Sequence, residues 1–175
     1  MKFEPTTIIG AFVITPEKRG DERGSLTRVW CAKEFAEHGI PMRIDQAYSA
    51  FTKQRGTLRG FHYTDVSHGE WKLLRCVRGS LHLVLLDMRP DSTTYKRHEA
   101  FVLRASAYTM IAVPPRVANG YLTLENDTEI LNLYQPLYEA GGERGVRWND
   151  PAFGISWPFE PSIISSKDAS WPNHQ

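Results

Sequence analysis

Residues 57–63 (Thr-Leu-Arg-Gly-Phe-His-Tyr), followed by Lys72, place one histidine among groups that could carry a proton or a positive charge. A histidine titrates near neutrality, so His62 could serve as a base or an acid. The segment is typical of a β-strand, in which side chains alternate between two faces. Alternation predicts two sets of side chains, Leu58, Gly60 and His62 on one face and Arg59, Phe61 and Tyr63 on the other. Because Gly60 has no side chain, we expect a ligand to approach the backbone beside His62.

The composition is that of one globular domain, predicted to span residues 1–175. The 21 basic and 20 acidic residues nearly balance, which argues against a general nucleic-acid binder. Cys31 and Cys76 form no metal or redox motif, so a reduced, cytoplasmic compartment is expected. No apolar run approaches the ~20 residues of a membrane-spanning helix, and the first residues lack the apolar core of a signal peptide. We therefore expect neither a nucleic acid nor a membrane as a partner.

Ten short strand-like runs follow one another along the chain and are separated by turn signals. The predicted strands are 8–14, 24–30, 44–51, 58–63, 71–78, 80–88, 96–103, 108–113, 120–124 and 128–134. Residues 18–21 (Lys-Arg-Gly-Asp) are predicted to form a turn. One helix is predicted at 31–38, stopped by Gly39, and a second short helix near 167–170, in a tail that wraps around the rest. Many short strands with regular turns predict an all-β sandwich or barrel.

Eight sequence blocks occur in a fixed order along nearly the whole chain. They are GDERG (20–24), LRGFHY (58–63), KLLR (72–75), VRG (77–79), ERG (143–145), WNDP (148–151), GISWP (154–158) and SSKD (165–168). Together they resemble the dTDP-4-dehydrorhamnose 3,5-epimerase family, whose members serve deoxysugar and polysaccharide biosynthesis. The resemblance implies a cupin-type jelly roll, a homodimer with exchanged N-terminal strands, and a nucleotide-diphosphate-sugar site inside each barrel.

The resemblance also implies catalysis without a metal or another cofactor. Cupin metal sites need two close histidines on one strand, plus a third histidine and a carboxylate. The six histidines of this chain include no His-x-His pair; they are His38, His62, His68, His82, His98 and His174. We therefore expect no metal site.

The family reaction removes a proton next to the 4-keto group of a sugar and returns one to the opposite face. His62 matches the family's base, and Asp168 matches the carboxylate that orients the imidazole. Without the resemblance, Asp168 would be interpreted as the N-cap of the last helix. Lys72 and Arg59 are candidate cations for the developing enolate and the sugar oxygens. Alternation leaves open whether they face inward or are solvated surface charges.

Further positions match substrate contacts of the family. Arg23 and Lys167 resemble contacts to the nucleotide and the phosphates, for which the planar guanidinium of arginine is suited. Glu143 resembles a substrate contact, Tyr138 an aromatic residue lining the nucleotide side, and Gln46 a polar substrate contact. Taken alone, these residues are equally compatible with a turn, a loop salt bridge and core packing.

Several positions depart from the family pattern. The family's proton-donating tyrosine, six residues before the Tyr138 position, is replaced by Asn132, and an amide cannot donate a proton near neutral pH. The family block Ala-His-Gly-Phe reads Ala-Asn-Gly-Tyr at 118–121, so Asn119 replaces a histidine. The aspartate that pairs with this histidine aligns with Leu83. The paired loss avoids a buried aspartate left without a partner.

Two more substitutions bear on the substrate, since Tyr48 stands where the family has an asparagine and Arg28 where it has a glutamate.

Three interpretations of the function remain open. The chain could be an epimerase with Tyr134 or a water as proton donor, because Tyr134 shares the face of Asn132 about 6–7 Å along the strand. It could be a keto-isomerase in which His62 returns the proton on its own side. It could also bind a nucleotide sugar without turnover. Outside these three, a function apart from the family's chemistry, such as a non-catalytic jelly-roll binding module, stays open. The nucleotide, the sugar and the inverted carbon, C3 or C5, stay open.

Overall fold

The computed structural model describes residues 1–65, 69–137 and 141–174, and these contain fourteen β-strands and two α-helices. The strands are β1 (Lys2–Pro5), β2 (Phe12–Thr15), β3 (Lys18–Asp21), β4 (Gly24–Thr27), β5 (Gln46–Thr52), β6 (Thr57–Thr64), β7 (Trp71–Arg78), β8 (Ser80–Asp87), β9 (His98–Arg104), β10 (Met110–Val113), β11 (Val117–Thr123), β12 (Thr128–Gln135), β13 (Glu143–Gly145) and β14 (Ile163–Ile164). The helices are α1 (Ala32–Glu37) and α2 (Ser166–Ala169), with a 3-10 turn at Ala105–Ala107.

Two mainly antiparallel sheets form the two walls of a jelly-roll barrel. The first has the order β1-β2-β10-β7-β12-β5, and the second has the order β13-β6-β11-β8-β9. The short strand β14 adds to β6 in parallel. The hairpin of β3 and β4 forms a separate two-stranded sheet. The predicted all-β barrel with short helices is confirmed.

The barrel core comes from the inward-facing residues of both sheets. Leu74 and Ile130 of the first sheet pack with Leu83 and Leu85 of the second, and all four are at most 1 % exposed. Burying a leucine or isoleucine side chain of this kind contributes roughly 1.5–3 kcal/mol. Because side chains two apart share a face, the rows that supply this core continue along β7 and β12 into polar residues. The same alternation that builds the core therefore also positions polar groups inside the barrel.

Separate apolar layers cover the outer faces of the two sheets. Phe35 of α1 is fully buried against Ile14 and Met110 of the first sheet, and the helix stops before Gly39, which has φ +74°. On the second sheet, Phe153 of the C-terminal segment packs with Phe61 in another cluster. The predicted helix 31–38 is confirmed with one residue fewer at each end. The predicted wrapping of the tail is also confirmed.

The N-terminal region differs from the prediction in two places. Residues 18–21 form strand β3 rather than a turn, because they pair with β4 around a tighter turn at 22–23. The predicted strand 8–14 begins only at Phe12. Gly10, with φ +84°, lies in a turn in which the amide of Ala11 donates to the carbonyl of Ile8 at 3.0 Å. A positive φ suits glycine and interrupts the extended backbone.

Besides β3, three short strands were not predicted: β1, β13 and β14. Strand β1 ends in Pro5 and lies at the edge of its sheet, where proline is tolerated. Strands β13 and β14 have three and two residues and pair only with β6, so no sequence period marks them. The predicted strand 24–30 ends at Thr27. No helix in the described part of the chain is long and apolar enough to cross a membrane.

Candidate active site

Strand β6 carries an irregularity that brings Arg59 and His62 to the same cleft. His62 is in register with Asn119 of β11, whereas Arg59 is in register with Tyr121. Two residues of β6 therefore oppose one residue of β11, which is the arrangement of a β-bulge. Both side chains line one cleft of about 460 Å³. The alternation predicted from the sequence, which placed Arg59 and His62 on opposite faces, is wrong at this point.

Gly60 lies within this bulge and has φ +117°. A Cβ atom there would lie 2.5 Å from the Cα of Gly120 and 2.8 Å from the carbonyl oxygen of Asn119. The space beside Gly60 is thus occupied by the backbone of β11. The prediction that this glycine leaves room for a ligand is wrong, because the glycine instead permits close packing of two strands.

His62 and Asp168 form a hydrogen-bonded pair at the wall of the cleft. The Nε2 of His62 lies 2.7 Å from Oδ1 of Asp168, whose side chain is 6 % exposed. The other carboxylate oxygen accepts the amide of Gly60 at 3.1 Å. The remaining ring nitrogen, Nδ1, lies 3.8 Å from Oε1 of Glu143. With Nε2–H donated to Asp168, Nδ1 is the nitrogen that can accept a proton.

The short helix α2 holds this carboxylate in place. Its N-cap is Ser165, whose hydroxyl accepts the amide of Asp168 at 3.1 Å. The alternative interpretation of Asp168 as the N-cap of this helix is therefore wrong. Burial raises the pKa of Asp168, but the hydrogen bond and the attraction of His62 outweigh burial and leave the pKa below its usual value. The pair thus has an ionised carboxylate beside the imidazole.

Lys72 projects inward from β7 and meets His62 across the cleft. It is 6 % exposed, and its Nζ donates to the carbonyl of His62 at 3.3 Å and to Oδ1 of Asn119 at 3.1 Å. Glu70 forms an ion pair with the same Nζ at 3.3 Å. Burial lowers the pKa of Lys72 below its usual value, and the carboxylates of Glu70 and Glu143 only partly oppose this shift. A buried ammonium with acidic partners is suited to stabilise negative charge on a bound oxygen.

The opposite wall is formed by β12 of the first sheet. Asn132 and Tyr134 both line the cleft, as alternation predicts for residues two apart. Asn132 is 8 % exposed, and its Nδ2 donates to the carbonyl of Ile130 at 3.3 Å. Burial raises the pKa of the Tyr134 phenol, so this hydroxyl is protonated at neutral pH. Tyr134 also contacts Tyr48 edge to face, with ring centroids 5.7 Å apart.

The mouth of the cleft continues into an adjoining cavity of about 300 Å³ that shares His62 and Tyr134. Gln46, Tyr48 and Glu143 line this second part. At the other side, Lys167 lines the first part and forms an ion pair with Glu143. The Nε of Arg59 donates to the Thr52 hydroxyl at 3.3 Å. The cleft therefore has a cationic rim around a proton-transfer pair.

Three residues at positions of family contacts lie away from the cleft or outside the described residues. Arg23 is at the tip of the β3–β4 hairpin, where its side chain is 85 % exposed and pairs with Asp21 at 2.6 Å. Arg28 forms an ion pair with Glu34 beside a separate surface cavity. Neither lines the cleft of this chain. Tyr138 lies outside the described residues.

Two residues of the cleft were missed in the sequence analysis. Glu70 lies two residues before Lys72, so the period of the strand could have placed it on the same side. Tyr121 lines the cleft from β11. The sequence analysis could have singled it out, because it is the last residue of the block at 118–121. Within the described residues, no group of three or more His, Cys, Asp or Glu side chains could hold a metal ion.

Comparison with known proteins points to one enzyme family. The sequence model described as dTDP-4-dehydrorhamnose 3,5-epimerase matches residues 5–175. A protein of that name from Sinorhizobium fredii is 34 % identical over 174 residues, covering 99 % of this chain and 89 % of the relative.

Solved structures show the same fold. The dTDP-4-dehydrorhamnose 3,5-epimerase from Bacillus anthracis, with TDP and PPi bound, has a TM-score of 0.94 and 29 % sequence identity to this chain. The match covers 99 % of each of the two chains. A 3'-monoepimerase from Streptomyces bikiniensis in complex with dTDP-quinovose has a TM-score of 0.90 and 31 % identity. That match covers 97 % of this chain and 86 % of the monoepimerase.

Proposed function

The chain belongs to the dTDP-4-dehydrorhamnose 3,5-epimerase family, and from this premise we propose that it epimerises nucleotide-diphosphate 4-keto-6-deoxy-sugars in deoxysugar biosynthesis. It is thus an isomerase whose relatives include both 3,5-epimerases and a 3-epimerase. The observation that carries the proposal is the His62–Asp168 pair, which lies in a cleft of the barrel beside the ammonium of Lys72. A ketone bound between these groups has acidic hydrogens on the adjacent carbons.

His62 is the base in this proposal. Its Nδ1 takes the proton from the carbon next to the ketone, and the electrons of the broken C–H bond form the enolate, whose negative charge moves to the ketone oxygen. Asp168 accepts the Nε2–H throughout and stabilises the imidazolium that results. Its burial strengthens this effect, because a charge pair at low exposure is weakly screened by solvent.

Lys72 stabilises the enolate oxygen in this proposal. Its Nζ is held by the carbonyl of His62 and the side chain of Asn119, and these contacts fix it near the base. Glu70 forms an ion pair with this Nζ and opposes the lowering of its pKa by burial. A preorganised cation aimed at developing charge supplies a large part of the stabilisation in such sites.

Tyr134 is the proposed proton donor. It projects from the sheet opposite His62, so it approaches the other face of a sugar placed between the sheets. Asn132, at the position of the family's donor, carries an amide that cannot take this role. The raised pKa of Tyr134 keeps the phenol protonated at neutral pH, and in this proposal the enolate carbon receives that proton to complete the inversion. A bound water is the alternative donor.

We propose that the diphosphate and nucleotide are bound near Arg59 and Lys167, with Gln46, Tyr48 and Glu143 as further contacts at the mouth. The nucleotide to test first is thymidine diphosphate, since the Bacillus anthracis and Streptomyces bikiniensis structures hold TDP and a dTDP-sugar. Because Arg28 stands where the family has a glutamate, the affinity for thymidine diphosphate should be compared with the affinities for cytidine and guanosine diphosphate sugars.

Residues 1–175 form one jelly-roll domain in this proposal, and two copies form a homodimer by exchange of N-terminal strands. The hairpin of β3 and β4 supports the dimer, since within the described residues these strands pair only with each other and Leu26 is 77 % exposed. Light scattering of the purified protein tests the dimer, and a monomeric mass with full activity would contradict it. The unpaired Cys31 and Cys76 support a cytoplasmic location.

One experiment separates this function from its alternatives. The protein is incubated with dTDP-4-keto-6-deoxyglucose in deuterated water, and the product is analysed by NMR. Deuterium at C3 or C5 with inverted configuration supports the epimerase. A carbonyl that has moved to another carbon supports keto-isomerisation, and binding without any exchange supports a non-catalytic nucleotide-sugar site.

A further inference from the structure

Tyr121 lines the cleft and carries a buried hydroxyl that the proposed chemistry does not use. The residue is 6 % exposed, and its hydroxyl makes no close hydrogen bond among the described residues, although the Thr52 hydroxyl is near enough to lower its pKa. Burial raises the pKa of this phenol, against opposing effects of Arg59 and the Thr52 hydroxyl, so the group is neutral near pH 7. Buried polar groups in native proteins are nearly always paired, so an unpaired hydroxyl that lines a ligand cleft requires an explanation.

Tyr121 lies where the cleft meets the barrel core. Its ring packs with Leu83 and Ile130 in the core cluster, while the residue also lines the cleft. From the opposing sheet, Asn132 lines the same cleft and is 8 % exposed. The inner surface of the cleft thus offers a phenol from one sheet and a carboxamide from the other. Both are neutral groups that can donate and accept hydrogen bonds, which suits the hydroxyl groups of a sugar.

Tyr121 is not placed to act as the proton donor. It lies on β11, the direct neighbour of β6, and so belongs to the same sheet as His62. A donor must reach the face of the sugar opposite to the base, and Tyr134 in the other sheet meets that condition. The hydroxyl of Tyr121 is therefore available for recognition of the sugar.

We propose that Tyr121 determines which sugars the enzyme accepts, through a hydrogen bond between its hydroxyl and a hydroxyl group at C2 or C3 of the sugar. The proposal rests on the proposed function, because it assumes that a keto-sugar occupies the cleft. A site built to bind a substrate hydroxyl discriminates strongly against the analogue that lacks it, since the buried protein group then stays unpaired. The substrate class is accordingly a 6-deoxy-sugar that retains this hydroxyl, rather than a dideoxy-sugar.

The test compares three substrates with two enzymes. kcat/KM is measured for wild type and Tyr121→Phe with dTDP-4-keto-6-deoxyglucose and with its 2-deoxy and 3-deoxy analogues. We expect wild type to prefer the fully hydroxylated sugar over one analogue by about 100-fold or more. Tyr121→Phe should reduce that preference at least about 10-fold, by losing activity on the hydroxylated sugar and not on the analogue.

Two controls exclude a loss of folding. The melting temperature of Tyr121→Phe should equal or exceed that of wild type, because the substitution removes only an unpaired buried hydroxyl. Tyr108→Phe makes the same chemical change outside the cleft, where the Tyr108 ring lies 4.6 Å from the Arg75 guanidinium, and should leave the preference unchanged.

Several results would overturn the assignment. An equal loss on all three sugars, an unchanged preference, or a wild type without preference would each remove Tyr121 from sugar recognition. Loss of inversion with retained solvent exchange on every sugar would instead make Tyr121 the proton donor. If wild type neither binds nor converts any of the three sugars, the proposed function itself fails. That outcome is visible before any variant is measured.

Discussion

Replacement of Asp168 by asparagine tests how much the carboxylate contributes to proton transfer. The carboxylate accepts two hydrogen bonds in the structure, from Nε2 of His62 at 2.7 Å and from the amide of Gly60 at 3.1 Å. Asparagine keeps the shape but has one acceptor oxygen, so one of the two donors loses its partner. It also removes the negative charge that faces the imidazolium during the reaction.

The magnitude follows from these contacts. Two opposite charges about 4 Å apart attract by about 4 kcal/mol at the effective dielectric constant of a protein surface, and less where water screens them. The Asp168 side chain is 6 % exposed and that of His62 is 30 % exposed, so part of this attraction is screened. We therefore expect the transition state to lose about 2–4 kcal/mol, which corresponds to a fall in rate of about 30- to 1,000-fold.

The assay is the rate of deuterium incorporation next to the ketone, measured by NMR alongside the affinity for nucleotide. Asp168→Asn should lower the exchange rate within that range and change nucleotide affinity less than about threefold, because the imidazole and not the nucleotide is disturbed. Asp127→Asn is the matched control: this residue has φ 52°, which asparagine tolerates, and it does not line the cleft. An exchange rate of Asp168→Asn within threefold of wild type would refute the reasoning.

Three further changes have defined outcomes. Tyr134→Phe should slow inversion more than solvent exchange, because it removes the proposed donor and leaves the base; equal effects on both rates argue against this role. Gly60→Ala should abolish folding or activity, since its Cβ would lie 2.5 Å from the Cα of Gly120, and a stable, active variant would contradict the packing. Burial raises the pKa of Asp87, but hydrogen bonds from Arg89 and two hydroxyls outweigh burial and hold that pKa to about 2. This carboxylate therefore adds about 2 kcal/mol of stability above pH 4 that is lost as the pH falls through 2. Asp87→Asn should flatten the pH dependence of unfolding over that range, and an unchanged slope would refute this.

Alternation along the strands predicted much of the cleft. Strand β7 was predicted with its observed bounds, Trp71–Arg78, and its inward row leads from Cys76 through Leu74 to Lys72. The same rule placed Asn132 and Tyr134 on one face. These predictions succeed because a strand with one face in a core must keep its register over its whole length.

The bulge in β6 could not be predicted in this way. It depends on the backbone of β11, which contacts Gly60 although it lies about sixty residues further along the sequence. The alternation of side chains within one strand gives no information about such a distant contact. The prediction for the N-terminal hairpin was wrong for a related reason. Residues 18–21 have the composition of a turn, yet the pairing with β4 makes them extended.

The partnership of His62 and Asp168 was predicted from family resemblance rather than from spacing. The two residues are separated by 106 positions, and only the docking of the C-terminal segment against β6 brings them together. Tyr121 was overlooked for the opposite reason. Its burial in an apolar row suggests core packing, and only the assembled barrel shows that it also lines the cleft.

The central claim is that His62 removes a carbon-bound proton from a bound keto-sugar. The most direct measurement is deuterium exchange at C3 and C5 of dTDP-4-keto-6-deoxyglucose with wild type and His62→Ala, with nucleotide affinity measured in parallel. The account predicts that exchange falls by about 10²- to 10⁴-fold in the variant while affinity changes little. Exchange that persists within tenfold of the wild-type rate would contradict it.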